Sequence, residues 1–428
     1  MNYRQAQKKI NRREFLKLCA LAGLSTFGSG IACRTLLKGE SELPTLDIYY
    51  KPGFQVEGTH FDASLIAPGS SMLVAERWNY VEAKKGTYDW HWNDDENGQG
   101  NLEYVQAFRA VSDGPLIVGV KNSPYWARCY PQYNNSPPNL AHLQHFNEFI
   151  QAVVDRYDPE YIEIWNEPNA PLMHDDKDDY NYYPSEHGDF FGGFGGEWEK
   201  PDLLYEGSSG PAYYAYIVNV VGRYVHDHCP GVKVLAGALA NGWDRETNSF
   251  NPFYYSFLSA VDSESYDGLS YHAYPIYIDP AGGTVNERRS DWNRILRVAD
   301  LLRALGAPNK EIVCTETSLL APKKYAGLYS DPRDLENEQV AYLNYVHQNA
   351  PGHLNFFLWY TLTDNDWEWS DLGETAVDCN QKPYIGGLPG FHYYYARTKL
   401  LWYYWWRCVT GEFPPRTRPK RFLGWVEE

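Results

Sequence analysis

Short apolar segments alternate with longer amphipathic segments along most of the chain, and this alternation constrains the fold more than any other feature. Residues 116–120 form a continuous apolar run, and the segment 139–157 that follows places Leu143, Phe146 and Ile150 on one face at helical spacing. Strands that alternate with helices are typical of a parallel α/β fold. We count eight such strands, which predicts a single (β/α)8 TIM barrel.

The predicted elements cover most of the chain after residue 45. The predicted strands are one within 45–58, then 71–77, 116–120, 161–165, 232–240, 267–274, 311–315 and 354–359, and the helices are 100–112, 139–157, 211–228, 252–263, 290–305, 335–349 and 390–407. The first βα unit is irregular, and long loops follow strands 4 and 8, at 169–210 and 361–390. A doubly wound open sheet is the alternative, but the sequence has no G-x-G-x-x-G turn after an early strand.

Composition and charge agree with one large globular domain. Of the 428 residues, 43% are hydrophobic and 22% are charged, and no Gly/Ser- or Pro-rich linker divides the predicted strands. We assign the barrel to 45–410, a linker to 34–44 and a tail to 411–428. The formal net charge of −17 argues against a nucleic-acid partner, because proteins that bind nucleic-acid backbones carry clustered Lys and Arg.

The N-terminal segment 1–33 resembles a twin-arginine export signal. The heptapeptide NRREFLK at 11–17 precedes an apolar run at 18–32 that is too short and too glycine-rich to span a bilayer well. Residues 30–33, GIAC, resemble a lipoprotein cleavage box. The sequence is compatible both with a lipid anchor on Cys33 and with an unmodified Cys33. We expect a periplasmic, cell-surface or extracellular protein. The segment through residue 32 carries +5, so its removal leaves −22.

The seven cysteines show no metal-binding spacing. No C-x-x-C pair is present, which argues against zinc. The five cysteines after the signal are an odd number, so at least one is free in a monomer. Strand alternation predicts that Cys314 is a buried thiol in the barrel interior, on the same side as Glu316.

Polar and aromatic residues follow the predicted strands at their carboxyl ends, where the chemistry of such a barrel takes place. In chain order these candidate residues are Arg77, Asn122, Trp126, Asn166, Glu167, His272, Tyr274, Glu316 and Trp359. Two carboxylates on opposed strands suit glycoside hydrolysis, in which one carboxyl group donates a proton and the other is ionised near the anomeric carbon. As simpler alternatives, Arg77 pairs with Glu76 or Glu82, and His272 is a satisfied core residue.

Several of these residues carry a family resemblance. The motif WNEPN at 165–169, together with Thr315-Glu316 three strands later, resembles clan A of the glycoside hydrolases, which are retaining (β/α)8-barrel enzymes. The likeness is greatest to glycoside hydrolase family 39, and the cellulase-like enzymes of family 5 are the next candidate. The segments RWNYVE at 77–82 and GTYDW at 86–90 also resemble the second-strand region of these enzymes.

The resemblance implies a role for each matching residue. It implies that Glu167 is the acid/base, that Glu316 is the nucleophile, that Asn166 binds the sugar 2-hydroxyl, that Tyr274 and Arg77 hold the nucleophile, and that His272 and Trp359 line the sugar subsite. Trp126 is a candidate for stacking against a sugar, and Asn122 is a candidate support residue. The expected substrate is a β-linked neutral oligo- or polysaccharide.

No cofactor or metal is expected, since two side chains supply both catalytic roles. The acidic clusters at 174–179 and 364–371 do not match a calcium-binding loop, and a solvated loop surface is the preferred interpretation. Two alternative functions remain open at this point. One is a catalytically silent carbohydrate-binding barrel of the cell envelope, and the other is a transglycosylase that uses the same residues.

Overall fold

The structure is a computed structural model of the chain. It describes residues 53–56, 66–92, 94, 100–131, 133, 135–169, 210–240, 243–244, 249–250, 252–273, 295–317, 342–347, 354–359, 392–393, 397–398 and 409–410. The export segment, the two acidic clusters, most of the two long loops and Tyr274 lie outside the described residues.

Eight parallel strands close into a barrel. In chain order they are β1 (Gly53–Val56), β2 (Met72–Arg77), β3 (Leu116–Lys121), β4 (Tyr161–Ile164), β5 (Lys233–Ala240), β6 (Gly268–His272), β7 (Glu311–Thr317) and β8 (Leu354–Trp359). Each strand pairs with its neighbours in sequence, and β8 pairs with β1. The predicted TIM-barrel fold is therefore confirmed.

The barrel closes at a seam where only glycine fits. Gly53 of β1 pairs with Leu358 of β8, while Phe54 pairs with Met72 of β2. A Cβ atom on Gly53 would lie 2.4 Å from Leu358 Cδ2 and 2.4 Å from the carbonyl oxygen of Ser71. The absence of a side chain at this position therefore makes room for the Leu358 side chain and the backbone of Ser71.

The helices lie between the strands, in the order that the alternation predicts. The longer ones are α1 (Asn101–Val111), α2 (Leu143–Tyr157), α3 (Gly210–His228), α4 (Pro252–Ala260) and α5 (Ile295–Ala304), and Trp78–Val81 and residues 342–347 are also helical. A 3-10 turn, Leu140–His142, leads into α2, and the Asn139 side chain caps this turn by accepting a hydrogen bond from the N–H of Ala141. In α2 the apolar positions are buried, as their helical spacing requires.

The core has two layers, one inside the barrel and one between the strands and the helices. The inner cluster consists of Leu73, Ile117, Tyr161, Leu235, Val313, Phe356 and Leu358. The outer cluster joins the other face of the strands to α1–α5. Because side chains alternate along a strand, each strand contributes to both layers, and polar residues at the carboxyl ends of the strands can face the barrel mouth.

The predicted helix at 390–407 is wrong over its first part. His392–Tyr393 and Arg397–Thr398 pair as a short antiparallel ribbon, with His392 opposite Thr398. The aromatic residues of this segment suggested a helix that packs on the barrel, but tyrosine and threonine also favour strands. Periodicity does not distinguish the two structures in so short a segment.

Within the described part of the chain, no helix combines the length and the apolar character that crossing a bilayer requires.

Candidate active site

Glu167 lies just beyond the end of β4, in a segment held by both neighbouring strands. The N–H of Trp165 donates to the carbonyl of Val120 at 2.9 Å, and the N–H of Glu167 donates to the carbonyl of Ala238 at 2.9 Å. The Glu167 side chain is buried, with 8% of the residue exposed. Asn166, between the two anchored residues, is partly buried.

Backbone strain is concentrated around this segment. Five non-glycine residues in the described part of the chain have a positive φ. Of these, Asn122 follows β3, Trp165 and Glu167 follow β4, and Ala238 lies in β5. The fifth, Asp158, ends α2 in the left-handed conformation. Such conformations cost about 1–3 kcal/mol each and cluster at functional sites, which supports a functional role for this end of the barrel.

A bulge in β5 shapes the support for Glu167. Ala236 pairs with Leu269 and Leu239 pairs with Tyr271, so β5 has one residue more than β6 over this stretch. The extra residue places the carbonyl of Ala238 where it accepts the hydrogen bond from Glu167. Bulges of this kind are common next to active sites, because they redirect backbone groups and side chains.

Helix α3 fixes the same region from outside the barrel. The hydroxyl of Tyr214, which is fully buried, donates to the carbonyl of Ile164 at 2.6 Å and accepts from the N–H of Gly237 at 2.9 Å. One side chain thus joins the end of β4 to the bulge of β5.

A second bulge, in β7, determines where Glu316 points. Between Cys314 and Glu316, β7 has one residue more than β6, and the pairing with β8 shows the same shift. Thr315 is fully buried, and the Glu316 carboxylate lies 3.3 Å from the imidazole of His272. Cys314 belongs to the outer core cluster together with residues of the helices.

The prediction that Cys314 faces the barrel interior is therefore wrong. Its thiol is buried as expected, but it lies on the outer side of β7, because the bulge breaks the alternation that was used to place it on the same side as Glu316. Cys129, Cys229 and Cys314, the three cysteines in the described segments, are all free thiols.

His272 lies between the two carboxylates. Its Nδ1 atom is 2.8 Å from Glu167 Oε1 and 3.3 Å from Glu316 Oε2, and the residue is almost fully buried. Burial favours the neutral imidazole, but the negative charges of Glu316, Glu167 and Glu163 outweigh it and raise the pKa of His272 to about 9. At neutral pH the imidazole is therefore a cation that bridges two acids.

The same three side chains also offer metal ligand atoms. Glu167, His272 and Glu316 each offer one such atom, and these atoms lie within 4.8 Å of one another. A metal ion here would displace the proton of His272, because a histidine ligand presents a lone pair.

Arg77 contacts aromatic rings at the end of β2. Its guanidinium carbon lies 5.8 Å from the ring centroids of Tyr80 and of Trp92. The simpler alternative for Arg77 was an ion pair with Glu76 or Glu82. Glu76 accepts a hydrogen bond from Trp92 Nε1, and Glu82 accepts one from the N–H of Gly86, so both carboxylates have other hydrogen-bond partners. That Arg77 holds Glu316 stays a prediction.

The remaining candidate residues lie on strand ends or on the loops that follow them. Trp126 donates from Nε1 to the carbonyl of Glu82 at 3.0 Å and is partly exposed. Trp359 is fully buried, with its ring 6.1 Å from that of Tyr342. The carbonyl of Asn122 accepts from the N–H of Asn79 at 2.8 Å. Their predicted roles toward a sugar stay predictions.

Sequence reasoning did not single out Glu163. This residue is 3% exposed and belongs to a strand whose other members are buried and apolar or aromatic. The available clue was a charge inside an apolar run, because a carboxyl group is rarely buried without a specific partner.

The chain is similar to known proteins in fold and not in sequence. No protein-family model matches the chain, and no curated protein matches its sequence. Solved structures do match. The β-glycosidase BGL167 matches with a TM-score of 0.51 and 14% identity, over 83% of this chain and 86% of its own.

Family 39 enzymes are also among the matches. A GH39 enzyme from Xanthomonas axonopodis pv. citri matches with a TM-score of 0.48 and 16% identity, and a GH39 β-xylosidase from Caulobacter crescentus with 0.48 and 17%. Both matches cover 84% of this chain, which spans 66% and 71% of the two enzymes. At such identities the likeness concerns the fold alone, and the chain thus has glycoside hydrolases, family 39 enzymes among them, as its neighbours in fold.

Proposed function

We propose that the protein is a retaining glycoside hydrolase in which Glu167 is the acid/base and Glu316 is the nucleophile. One observation carries the proposal: an oxygen of each carboxyl group and a nitrogen of His272 lie within 4.8 Å of one another at the carboxyl end of the barrel. The two carboxyl groups of retaining glycosidases are about 5–5.5 Å apart, whereas those of inverting enzymes are about 6.5–9.5 Å apart to admit a water molecule.

In the first step the Glu316 carboxylate attacks the anomeric carbon. The bond from that carbon to the glycosidic oxygen breaks, and Glu167 transfers its proton to the departing oxygen. The products are a neutral alcohol and a glycosyl ester on Glu316, while Glu167 becomes a carboxylate.

In the second step Glu167 acts as the base. It takes a proton from water, the water oxygen bonds to the anomeric carbon, and the ester bond electrons return to Glu316. The sugar leaves with its original anomeric configuration, and both residues recover their initial protonation states. If a sugar hydroxyl replaces the water, the same residues carry out transglycosylation.

The charges of the site suit these two steps. The imidazolium of His272 lies 3.3 Å from Glu316 Oε2 and stabilises the ionised form that a nucleophile requires. Burial strengthens this interaction, because little water screens it. One proton on Glu167 then completes the state in which the first step begins.

We propose a neutral, β-linked sugar as the substrate, of the kind that xylosidases, glucanases or mannanases cleave. Without its first 32 residues the chain carries a net charge of −22, which repels polyanionic glycans. No cofactor takes part in the proposed reaction.

The test is turnover of xylo-, gluco- and manno-oligosaccharides and of their aryl β-glycosides. Glu167→Gln should lower kcat on oligosaccharides by about 10²- to 10⁴-fold, because it removes general acid catalysis. Glu316→Gln should abolish turnover on both kinds of substrate. Glu160→Gln is the matched control, because Glu160 flanks the opposite end of β4 and is partly exposed.

Azide distinguishes the two roles by the configuration of the product. With Glu316→Gly, azide should attack the anomeric carbon directly and give a glycosyl azide of inverted configuration. With Glu167→Ala, azide should attack the glycosyl ester and give the retained configuration. Wild-type turnover in either Gln variant, or binding of every glycan without release of reducing sugar, would refute the proposed function.

A further inference from the structure

Three exposed tyrosines lie at the end of the barrel that carries the candidate site. In the described part of the chain, four large hydrophobic side chains are exposed. Tyr80 and Tyr88 are in the loop after β2, Tyr125 is in the loop after β3, and Val111 is the last residue of α1. Because the loops that follow the strands of a parallel barrel all lie at one end, the tyrosines share that end with the candidate site.

Tyr80 is the outer member of a stacked pair of rings. Its ring centroid lies 5.1 Å from that of Trp92, the two planes are 28° apart, and 47% of Tyr80 is exposed. Trp92 is partly buried, and its Nε1 atom donates to the buried carboxyl group of Glu76 at 3.0 Å. Glu76 also accepts hydrogen bonds from Asn101 of α1 and Tyr157 of α2. The ring beneath Tyr80 is therefore fixed from the core.

Arg77 lies beside this pair of rings. Its guanidinium carbon is 5.8 Å from the ring centroid of Tyr80 and also 5.8 Å from that of Trp92. A group on the outer face of the Tyr80 ring would be much closer to Tyr80 than to Trp92, so the equal distances place the guanidinium at the shared edge of the two rings. Neither Trp92 nor Arg77 therefore covers the outer face of Tyr80.

The loop that carries Tyr80 is tied to the loop after β3, the next strand toward Glu167. The N–H of Asn79, which directly precedes Tyr80, donates to the carbonyl of Asn122 at 2.8 Å. Trp126 Nε1 donates to the carbonyl of Glu82 at 3.0 Å. The exposed ring is thus part of a braced segment of the barrel rim, which also holds Trp126, a candidate for stacking against a sugar.

A fixed aromatic ring with one open face suits a sugar unit. The C–H face of a pyranose is apolar and can stack on such a ring, while the hydroxyl of Tyr80 and the N–H groups of Arg77 at its edge suit sugar hydroxyls. A ring that is held in place before binding also loses little conformational entropy. Glu167 and His272 are nearly buried, whereas Tyr80 is exposed on the rim, so a glycan would reach Tyr80 with units that extend out of the site.

We propose that Tyr80, supported by Trp92, binds a sugar unit of the substrate beyond the two units that the cleaved bond joins. The substrate is then an oligo- or polysaccharide of at least three units. The effect of Tyr80 on turnover rests on the proposed glycosidase function. Its effect on glycan affinity does not require cleavage and can be measured separately.

The first measurement is calorimetric binding to Glu316→Gln, with xylose, glucose and mannose pentasaccharides in β-1,4 linkage and the matching disaccharides as probes. We expect one pentasaccharide to bind more tightly than its disaccharide. Adding Tyr80→Ala should weaken binding of that pentasaccharide by about three- to tenfold, which is the usual strength of an aromatic contact, and should weaken binding of the disaccharide less.

The second measurement is kcat/KM for oligosaccharides of two to five units of the same sugar, in protein with Glu316 intact. Tyr80→Ala should lower the ratio of kcat/KM for the pentasaccharide to that for the disaccharide by the same factor. The loss should appear mainly in KM, because the ring contacts a unit that does not change during the reaction.

Tyr80→Phe and Tyr88→Ala are the controls. Tyr80→Phe keeps the stacking ring and should retain most of the pentasaccharide affinity. Tyr88 is an exposed tyrosine of the same loop, but its ring packs edge-on against Trp90 and against Phe149 of α2. Tyr88→Ala should therefore leave the pentasaccharide-to-disaccharide ratio unchanged.

Three results would overturn the inference: no binding of any of the pentasaccharides, an unchanged pentasaccharide affinity in the Tyr80→Ala protein, or an equal loss of affinity for the pentasaccharide and the disaccharide. If Tyr80→Ala weakens pentasaccharide binding in a protein that cleaves none of the substrates, the inference stands and only the proposed function is refuted. The two failures are therefore distinguishable.

Discussion

At the scale of single residues, the charge of His272 depends on its neighbours and not on its burial. An almost fully buried imidazole would ordinarily be neutral, because desolvation penalises its cation. Here three carboxyl groups act on one ring and raise its pKa to about 9. The resulting cation stabilises negative charge on the carboxyl groups beside it.

This raised pKa predicts how stability changes with pH. The ordinary pKa of histidine is about 6.5, so the stabilisation by His272 is fully present below pH 6.5 and is lost as the pH rises through about 9. We expect wild type to exceed His272→Gln in free energy of unfolding by on the order of 3 kcal/mol more at pH 6 than at pH 10. Denaturant titrations of both proteins across this range provide the measurement, and a pH-independent difference would contradict the expectation.

At the scale of the elements, two bulged strands and one helix build the site. The bulge in β5 supplies the carbonyl of Ala238 that holds Glu167, and the bulge in β7 turns Glu316 toward His272. Helix α3 holds the bulge of β5 in place through the hydrogen bonds of Tyr214. The position of α3 on the barrel is therefore part of what positions Glu167.

The close packing of α3 can be tested at Gly222. A Cβ atom there would lie 1.7 Å from the carbonyl oxygen of Ser265, in the 3-10 turn after α4. Alanine is about 1 kcal/mol better than glycine in a helix, but this clash requires α3 to move. We expect Gly222→Ala to lower the free energy of unfolding by about 1–3 kcal/mol, measured by denaturant titration.

Asp227→Ala is the control for this prediction, because Asp227 is exposed in the last turn of the same helix. It should change the free energy of unfolding by no more than about 0.5 kcal/mol. A stabilised Gly222→Ala variant would mean that α3 and the 3-10 turn can separate at little cost.

At the scale of the whole molecule, the proposed glycosidase function requires that the protein reach its substrate. We propose that the segment 1–33 directs export through a twin-arginine pathway and that the working protein is periplasmic, on the cell surface or extracellular. The paired arginines Arg12 and Arg13 within the heptapeptide at 11–17 support this proposal.

Replacement of both arginines tests the export proposal. In a host that has the twin-arginine pathway, Arg12→Lys combined with Arg13→Lys should leave the protein in the cytoplasm with an uncleaved N-terminus, as measured by cell fractionation and mass spectrometry. Cys33→Ser should move the exported protein from the membrane fraction to the soluble fraction if Cys33 carries a lipid. Normal export of the double variant would contradict the twin-arginine proposal.

The sequence by itself determined the order of the elements and the end of the barrel at which the candidate site lies. The apolar run 354–359 predicted a strand with the observed bounds. The positions of Glu167, His272 and Glu316 at the ends of predicted strands made them candidates for one site, and the three side chains do lie together. These features follow from local periodicity and from the rule that all strands of a parallel barrel end at one rim.

Only the tertiary structure decided how those side chains meet. The bulges of β5 and β7 and the outward position of Cys314 depend on how each strand pairs with its neighbours. A period of two assigns successive residues of a strand to opposite faces. One extra residue in a bulge therefore reverses the face that is predicted for every residue after it. The acidic, aromatic chain encoded a barrel through its local pattern, whereas the contacts of His272 with Glu167 and Glu316 join residues that are distant in sequence.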